Sequence, residues 1–322
     1  MRHWLQKFSL FLILLMTSLL LIVYLIDQRI ENLTKQRLSV GTTYMTMNNP
    51  FYQVINAEIE KEITEKGGIV YTRDSSLNSA KQVEQLHYFI KTGVDVIVIN
   101  PVKSKDRNIK KAVEEAEQKG IKVIVIDSQL SKDVKVTSTI VSDNYHAGEL
   151  LAKDLMSKKT AARILLLEHK DAVSGEQRIK GFLDTISAQR QFKVMTKLES
   201  LGQTEIAMPE VEKIIQSQKD FDVIMALNDQ AAIGAVAALD KQKVDHPILV
   251  YGVDGSPDMK NLLATTSDVT ATVSQSPLKM GNQTARIAIK VANGESVPSK
   301  VTVPVKIITK KNIQDFDTKG WQ

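Results

Sequence analysis

Cysteine is absent from all 322 residues. That absence removes disulfides, thiolate zinc sites, cysteine nucleophiles and the cysteine a lipid anchor would modify. The glycine-rich phosphate cradles G-x-G-x-x-G and G-x-x-x-x-G-K-[ST] are missing too, so dinucleotide and P-loop readings have nothing to hold a phosphate. No segment repeats with a period of 20–50 residues, and none is of low complexity. An excess of charge is also lacking. Residues 1–39 carry five Lys/Arg against two Asp/Glu, and the remaining 283 carry 37 basic and 35 acidic side chains. A near-neutral body of this kind offers no electrostatic footprint for nucleic acid. The five histidines (His3, His87, His146, His169, His246) are scattered, and neither a nucleophile–base pair nor a metal-ligand set emerges. No catalytic residue, metal or cofactor is therefore expected.

Against these absences stands one long apolar run. Phe8 to Ile26 holds nineteen residues without a charge, and as a helix it would span roughly 29 Å, close to a hydrocarbon core. The run ends in Leu25-Ile26-Asp27-Gln28-Arg29, without the small residues of a cleavage site. We read residues 1–27 as an uncleaved signal anchor, in contact with the membrane through residues 8–26, and 28–39 as a polar stalk. A removed signal peptide is the alternative, and both place the bulk of the chain outside the cytoplasm. Lys and Arg are spread over both flanks, so the positive-inside rule does not orient the span. The N-terminus is expected in the cytoplasm because the cysteine-free remainder suits an extracytoplasmic domain.

From Val40 onward, short β-branched apolar runs alternate with longer amphipathic stretches. The strands are expected at Val40–Met45, Ile69–Tyr71, Asp95–Ile99, Lys122–Ile126, Arg163–Leu167, Asp222–Leu227 and Ile248–Val253. Helical periodicity falls between them, as in Tyr52–Glu65, Lys81–Lys91, Ile109–Lys119, Glu149–Ser157 and Ala231–Lys241. Apolar runs of four to eight residues bounded by helices argue for parallel strands covered on both faces, a doubly wound α/β architecture.

Several of these strands end in Asn or Asp: Asn100, Asp127, Asn228 and Asp254. Asn49-Pro50, Ser256-Pro257 and Ser276-Pro277 read as helix caps followed by a first-turn proline, and Asp143 and Asn228 as caps without one. Polar residues at the carboxyl ends of parallel strands, beside helix N-termini, are where open α/β sheets bind ligands. For any single residue, capping alone is an equal reading. Four on separate strands favour a convergent polar site.

At this point a resemblance enters. Thr46-Met47-Asn48-Asn49-Pro50-Phe51-Tyr52, Asp95–Pro101, Val141-Ser142-Asp143-Asn144, Gln177–Phe182, Ala226-Leu227-Asn228-Asp229, Val250–Gly255 and Val273-Ser274-Gln275 match in order and spacing. Through them, residues 40 to about 308 resemble the periplasmic sugar-binding proteins of the ribose/galactose type, whose fold is shared by the ligand-binding core of the lac repressor family. The resemblance implies two Rossmann-like lobes joined by a three-strand hinge, with a monosaccharide held in the cleft. It implies a first lobe of 40–142 plus 276–294 and a second of 143–275 plus 295–322. It also implies that Asn49, Phe51, Tyr52, Asn100 and Asp127 from the first lobe, Arg178, Asn228 and Asp254 from the second, and Gln275 at a crossover contact the sugar. Planar Asp, Asn, Gln and Arg groups suit vicinal hydroxyls, and aromatic rings suit the CH faces of a sugar ring. Arg178 is expected to keep Asp127 and Asp254 ionised.

The chain departs from the family pattern at three places. Ser128 stands where ribose binders carry an arginine. Glu199-Ser200-Leu201-Gly202-Gln203 lacks an aromatic, and Met45 replaces a small polar residue. These changes point away from ribose itself and leave a pocket for a neutral polyol. A glycosidase pair made of Asp127 and Asp254 is disfavoured, since a neighbouring arginine would hold both acids low. A repressor would need a helix-turn-helix before residue 40, where the apolar run lies instead. The expected partner is the permease of an ABC-type sugar importer. The alternative is the ectodomain of a sensor histidine kinase, to which an anchored protein would present its closed form.

Overall fold

The computed structural model describes residues 14–24, 26 and 37–322. Residues 14–24 are helical, with Leu14, Leu15, Met16, Leu19 and Leu20 exposed. Among the described residues no helix is long and apolar enough to cross a membrane. The expected anchor and stalk fall largely outside the described residues, which omit 1–13, 25 and 27–36.

Residues 39–322 form one compact unit. Strands and helices alternate along it: β1 (Ser39–Tyr44), α1 (Pro50–Glu65), β2 (Ile69–Asp74), α2 (Ser79–Thr92), β3 (Val96–Ile99), α3 (Arg107–Gln118), β4 (Lys122–Ile126) and β5 (Ser138–Ser142). There follow α4 (Asn144–Lys158), β6 (Ala162–Glu168), α5 (Val173–Ile186), β7 (Phe192–Glu199), α6 (Thr204–Gln216), β8 (Val223–Ala226) and α7 (Asp229–Lys241). The chain closes with β9 (Leu249–Asp254), α8 (Pro257–Thr265), β10 (Val269–Ser274), α9 (Pro277–Ala292), β11 (Lys300–Val303) and β12 (Lys306–Thr309).

Two six-stranded sheets result, ordered β11-β5-β4-β3-β1-β2 and β12-β10-β9-β8-β6-β7. The first is wholly parallel, and in the second only β12 runs antiparallel, against β10. β3 (VIVI) and β8 (VIMA) are apolar throughout because helices cover both faces, and all four residues of each are buried. Alternate residues of one strand enter different cores, as the two-residue period requires. Ile164 and Leu166 of β6 pack with Leu151 of α4 and Phe182 of α5, whereas Leu165 and Leu167 pack with Val211 of α6 and Ala235 of α7.

Three connections cross between the sheets. The chain leaves the first sheet after Ser142, returns after Ser274 through α9, and crosses again from β11 to β12 at Pro304-Val305. This last crossing corrects one expectation. The resemblance implies that residues 295–322 lie wholly in the second lobe, but Lys300–Val303 pairs in parallel with β5 of the first sheet. Without that strand, β5 would present a bare edge of unpaired backbone groups.

Two close helix contacts fix the layers. A Cβ on Gly148 (α4) would lie 2.0 Å from the Arg178 carbonyl oxygen, and one on Gly181 (α5) 2.0 Å from that of Tyr145. Glycine at both positions lets the backbones of α4 and α5 touch, and α5 is the helix that carries Arg178.

Candidate functional site

The C-terminal ends of the strands from both sheets face one cavity. It encloses about 360 Å³ not filled by protein atoms, its mouth included, and its lining includes Asn49, Phe51, Tyr52, Asp127, Arg178, Asn228, Asp254 and Gln275. Eight of the nine residues singled out in the sequence thus meet at one place. The ninth, Asn100, is fully buried behind the wall and is absent from the lining. Its Nδ2 donates to the Ile126 carbonyl (3.2 Å) and to Asp127 Oδ2 (3.4 Å), and its Oδ1 accepts from Met45 N–H (3.2 Å). Asn100 holds the carboxylate in place and stands outside the expected set of contacts.

Local sequence explains how the side chains arrive. Asn49 caps α1, accepting from Phe51 N–H at 2.9 Å, with Pro50 in the first turn, so Phe51 and Tyr52 start a helix at the cavity wall. Asn228 caps α7 through Ala231 N–H (3.0 Å), and its Nδ2 donates to the Gly202 carbonyl (3.0 Å). Capping and cavity lining coincide in both residues. Asp127 and Asp254 lie at φ 63° and 143°, backbone conformations uncommon for side chains other than glycine. Asp127 follows β4 directly, and Asp254 is the last residue of β9.

Arg178 is 3% exposed and sits between the two acids. Its Nε donates to Asn144 Oδ1 (2.8 Å) and its Nη1 to the Leu227 carbonyl (3.0 Å). Those bonds hold the guanidinium, with Nη2 3.6 Å from Asp127 Oδ1 and Nη1 3.8 Å from Asp254 Oδ1. Neither approach is a good hydrogen bond. Tyr52 donates its hydroxyl to Asp127 Oδ2 (3.1 Å), and Gln275 Nε2 donates to Asp254 Oδ1 (2.6 Å). Two lining atoms, Asp127 Oδ1 and Gln275 Oε1, are buried without a hydrogen-bond partner, an arrangement that is costly unless a donor reaches them.

The electrostatics correct a second expectation. Burial pushes the Asp127 carboxyl above its ordinary range, and Arg178 only partly opposes it. Burial pushes Asp254 well above that range, the neighbouring Asp229 adds to the rise, and Arg178 again opposes it. Asp229 itself is raised to about 6, mainly by burial. One guanidinium at non-bonding distance does not offset the loss of water around three carboxylates. Tyr52 is likewise pushed well above its usual value by burial.

The cavity has further walls. Met45, His169, Leu201, Gly202 and Gln203 also line it. Met45 and the 199–203 stretch stood out in the sequence only as departures from a pattern. His169 directly follows β6, as Asp127 follows β4, and that position was the available signal. Burial lowers its pKa, which favours the neutral ring. Ser128, in place of an arginine, accepts from Ser174 N–H (3.2 Å), so its hydroxyl joins the first-sheet side of the cleft to α5. Among the described residues no group of three or more His, Cys, Asp or Glu is arranged to hold a metal ion.

Comparison with known proteins agrees with this fold. The ribose import binding protein of Bacillus subtilis (strain 168) is 31% identical over 281 residues, covering 86% of this chain and 89% of that protein. An ABC transporter solute binding protein from Bacillus halodurans C-125, solved with bound myo-inositol, has a TM-score of 0.81 at 20% identity, covering 88% of this chain and 98% of that one. The fructose-binding periplasmic domain of a hybrid two-component system has a TM-score of 0.80 at 24% identity, covering 86% and 92%. At those identities the two structures speak for the fold alone. Residues 40–296 match the periplasmic binding protein domain, and the chain, a two-lobed α/β protein with parallel sheets, belongs to that family.

Proposed function

We propose that this protein captures a monosaccharide or cyclic polyol outside the cytoplasm, in the cleft between its two sheets, without chemical change. One observation carries the reading. Asn49 and Asp127 from one side, and Arg178, Asn228, Asp254 and Gln275 from the other, converge on a cavity in which Asp127 Oδ1 and Gln275 Oε1 lack donors. Vicinal hydroxyls would supply those donors and also accept from the guanidinium and the amide groups. Phe51 and Tyr52 offer ring faces to CH groups. A ligand bound to both sides favours the closed form through its differential affinity, which makes closure the signal a partner reads.

That partner, in this reading, is the permease of an ABC-type importer. A second reading has an observation of its own: the uncharged run Phe8–Ile26 lacks both a cleavage motif and a lipid-accepting cysteine. As an uncleaved anchor it would fix the protein beside one membrane partner, which suits a co-receptor for a sensor histidine kinase.

Two experiments test these readings. Thermal unfolding with D-ribose, D-xylose, D-allose, D-fructose and myo-inositol, each at millimolar concentration, is expected to show a rise in Tm with at least one, since a ligand at 100 times its Kd adds about 2.7 kcal/mol. No shift with any of them would count against the site. N-terminal sequencing of membrane-associated protein from cells is expected to find the first 26 residues retained. A soluble form starting near residue 28 would remove the anchor.

A further inference from the structure

The last residues of the chain lie beyond the part matched to the family, residues 40–296, and the binding chemistry above makes no use of them. They are nevertheless firmly placed. Ile313 and Phe316 pack against the second-sheet core that contains Met259 and Leu263 of α8. Lys260 of the same helix is fully buried, and its Nζ donates to the carbonyl oxygens of Asp317 (2.5 Å) and Gly320 (2.6 Å). A buried ammonium needs such acceptors, so the tail and α8 hold each other. Within the tail, Lys319 N–H donates to Asp317 Oδ1 (2.9 Å), and a Cβ on Gly320 would collide with Asp317 Oδ2 at 2.4 Å. That carboxylate is the tip of an exposed side chain and can turn away, so it is the Lys260 bonds to Asp317 and Gly320 that direct Trp321.

That direction leads across the cleft. The Trp321 ring meets the Phe51 ring edge-on, with centroids 5.8 Å apart and planes at 65°. Phe51 belongs to α1, on the first-sheet side, and lines the cavity. Its other aromatic neighbour is Tyr52, at 5.6 Å and 78°. Phe51 is thus gripped between its own helix and a residue delivered by the opposite half of the molecule. We propose that Trp321 is a positioning residue for Phe51, and that Phe316–Gln322 is a strap through which the second half sets the aromatic wall of the first. The inference rests on the cleft being the sugar site. It makes residues 316–322 a determinant of affinity although Trp321 is not part of the cavity lining.

The test uses the full chain. Trp4 and Trp321 are its two tryptophans, so Trp4→Phe leaves Trp321 as the single emitter. In that background Phe51→Ala is expected to raise acrylamide quenching of Trp321 at least about twofold, with no ligand added, because the ring that Trp321 rests on is gone. Unchanged quenching would overturn the strap. Trp321→Ala is then expected to weaken whichever of D-ribose, D-xylose, D-allose, D-fructose and myo-inositol gives the largest Tm rise by about three- to tenfold, the worth of one edge-on aromatic pair. Trp321→Phe, which keeps an edge, is expected to stay within about twofold of the parent. Equal affinity in parent and Trp321→Ala overturns the positioning role. If the parent responds to none of the five compounds, the sugar reading and the affinity claim fall together, while the quenching comparison still decides whether the tail holds Phe51.

Discussion

Replacing Gly181 by alanine sets two effects against each other, and the structure says which wins. Gly181 lies inside α5, where alanine is favoured over glycine by about 1 kcal/mol of helix propensity. Its Cβ, however, would stand 2.0 Å from the Tyr145 carbonyl oxygen and 2.9 Å from the carbonyl carbon. Both are backbone atoms of α4, so no side chain can swing aside. Restoring ordinary contact means parting the helices by roughly 1.4 Å, and overpacking of that order costs about 3 kcal/mol. The net is a destabilisation of about 2 kcal/mol, or a fall in Tm of roughly 4–8 °C. The consequence reaches the cleft, because α4 carries Asn144, whose Oδ1 accepts from Arg178 Nε across the same helix pair. The variant should therefore lose sugar affinity as well as stability. Urea and thermal unfolding of residues 39–322, with a sugar titration alongside, provide the assay. A Tm equal to or above the parent's would refute the reasoning, since helix propensity acting alone would raise it. Gly148→Ala, whose Cβ would meet the Arg178 carbonyl oxygen at 2.0 Å, should behave alike.

Two further predictions concern the buried charges. Burial raises Asp229 to about 6, so the folded state holds a proton that the unfolded chain releases near pH 4. Its contribution is present at low pH and is lost as pH rises through about 6, a change of about 3 kcal/mol at 1.36 kcal/mol per pH unit. Asp229→Asn, which keeps an acceptor for Ser256 N–H, should flatten the stability profile measured by urea unfolding between pH 4.5 and 7, and parallel profiles in parent and variant would contradict the assignment. Arg178→Lys removes the planar fork that reaches Asn144 and Leu227 while facing both acids. A lysine cannot span those partners, so calorimetry should find sugar affinity reduced by more than about a hundredfold and stability reduced by about 2–4 kcal/mol; binding within threefold of the parent would count against a central role for the guanidinium.

Much of the architecture was readable because central parallel strands leave a local trace. A strand covered on both faces tends to be apolar along its length, and β3, β8 and the last four residues of β4 show this in four residues each. Strand tips carrying Asn or Asp before a helix are equally local, which is why Asp127, Asn228 and Asp254 of the cavity lining could be picked out from the strand pattern, while Phe51, Tyr52, Arg178 and Gln275 came only through the family resemblance. Edge strands leave a fainter trace. β7 reads Phe-Lys-Val-Met-Thr-Lys-Leu-Glu, alternating buried or half-buried with exposed positions, and it was not expected as a strand. β11 is four residues long, and its place in the first sheet depends on pairing with β5, about 160 residues earlier.

What the order of residues determined, then, is everything that follows from periodicity over a few residues: the doubly wound α/β class, the helix caps and the polar strand ends. What only the folded molecule decided depends on which distant groups share a dry space. Asn100 became a support for Asp127, the acids beside Arg178 were pushed upward in pKa, and Trp321 came to rest on Phe51. Desolvation and long-range contact are properties of the assembled surroundings, and no stretch of sequence carries them.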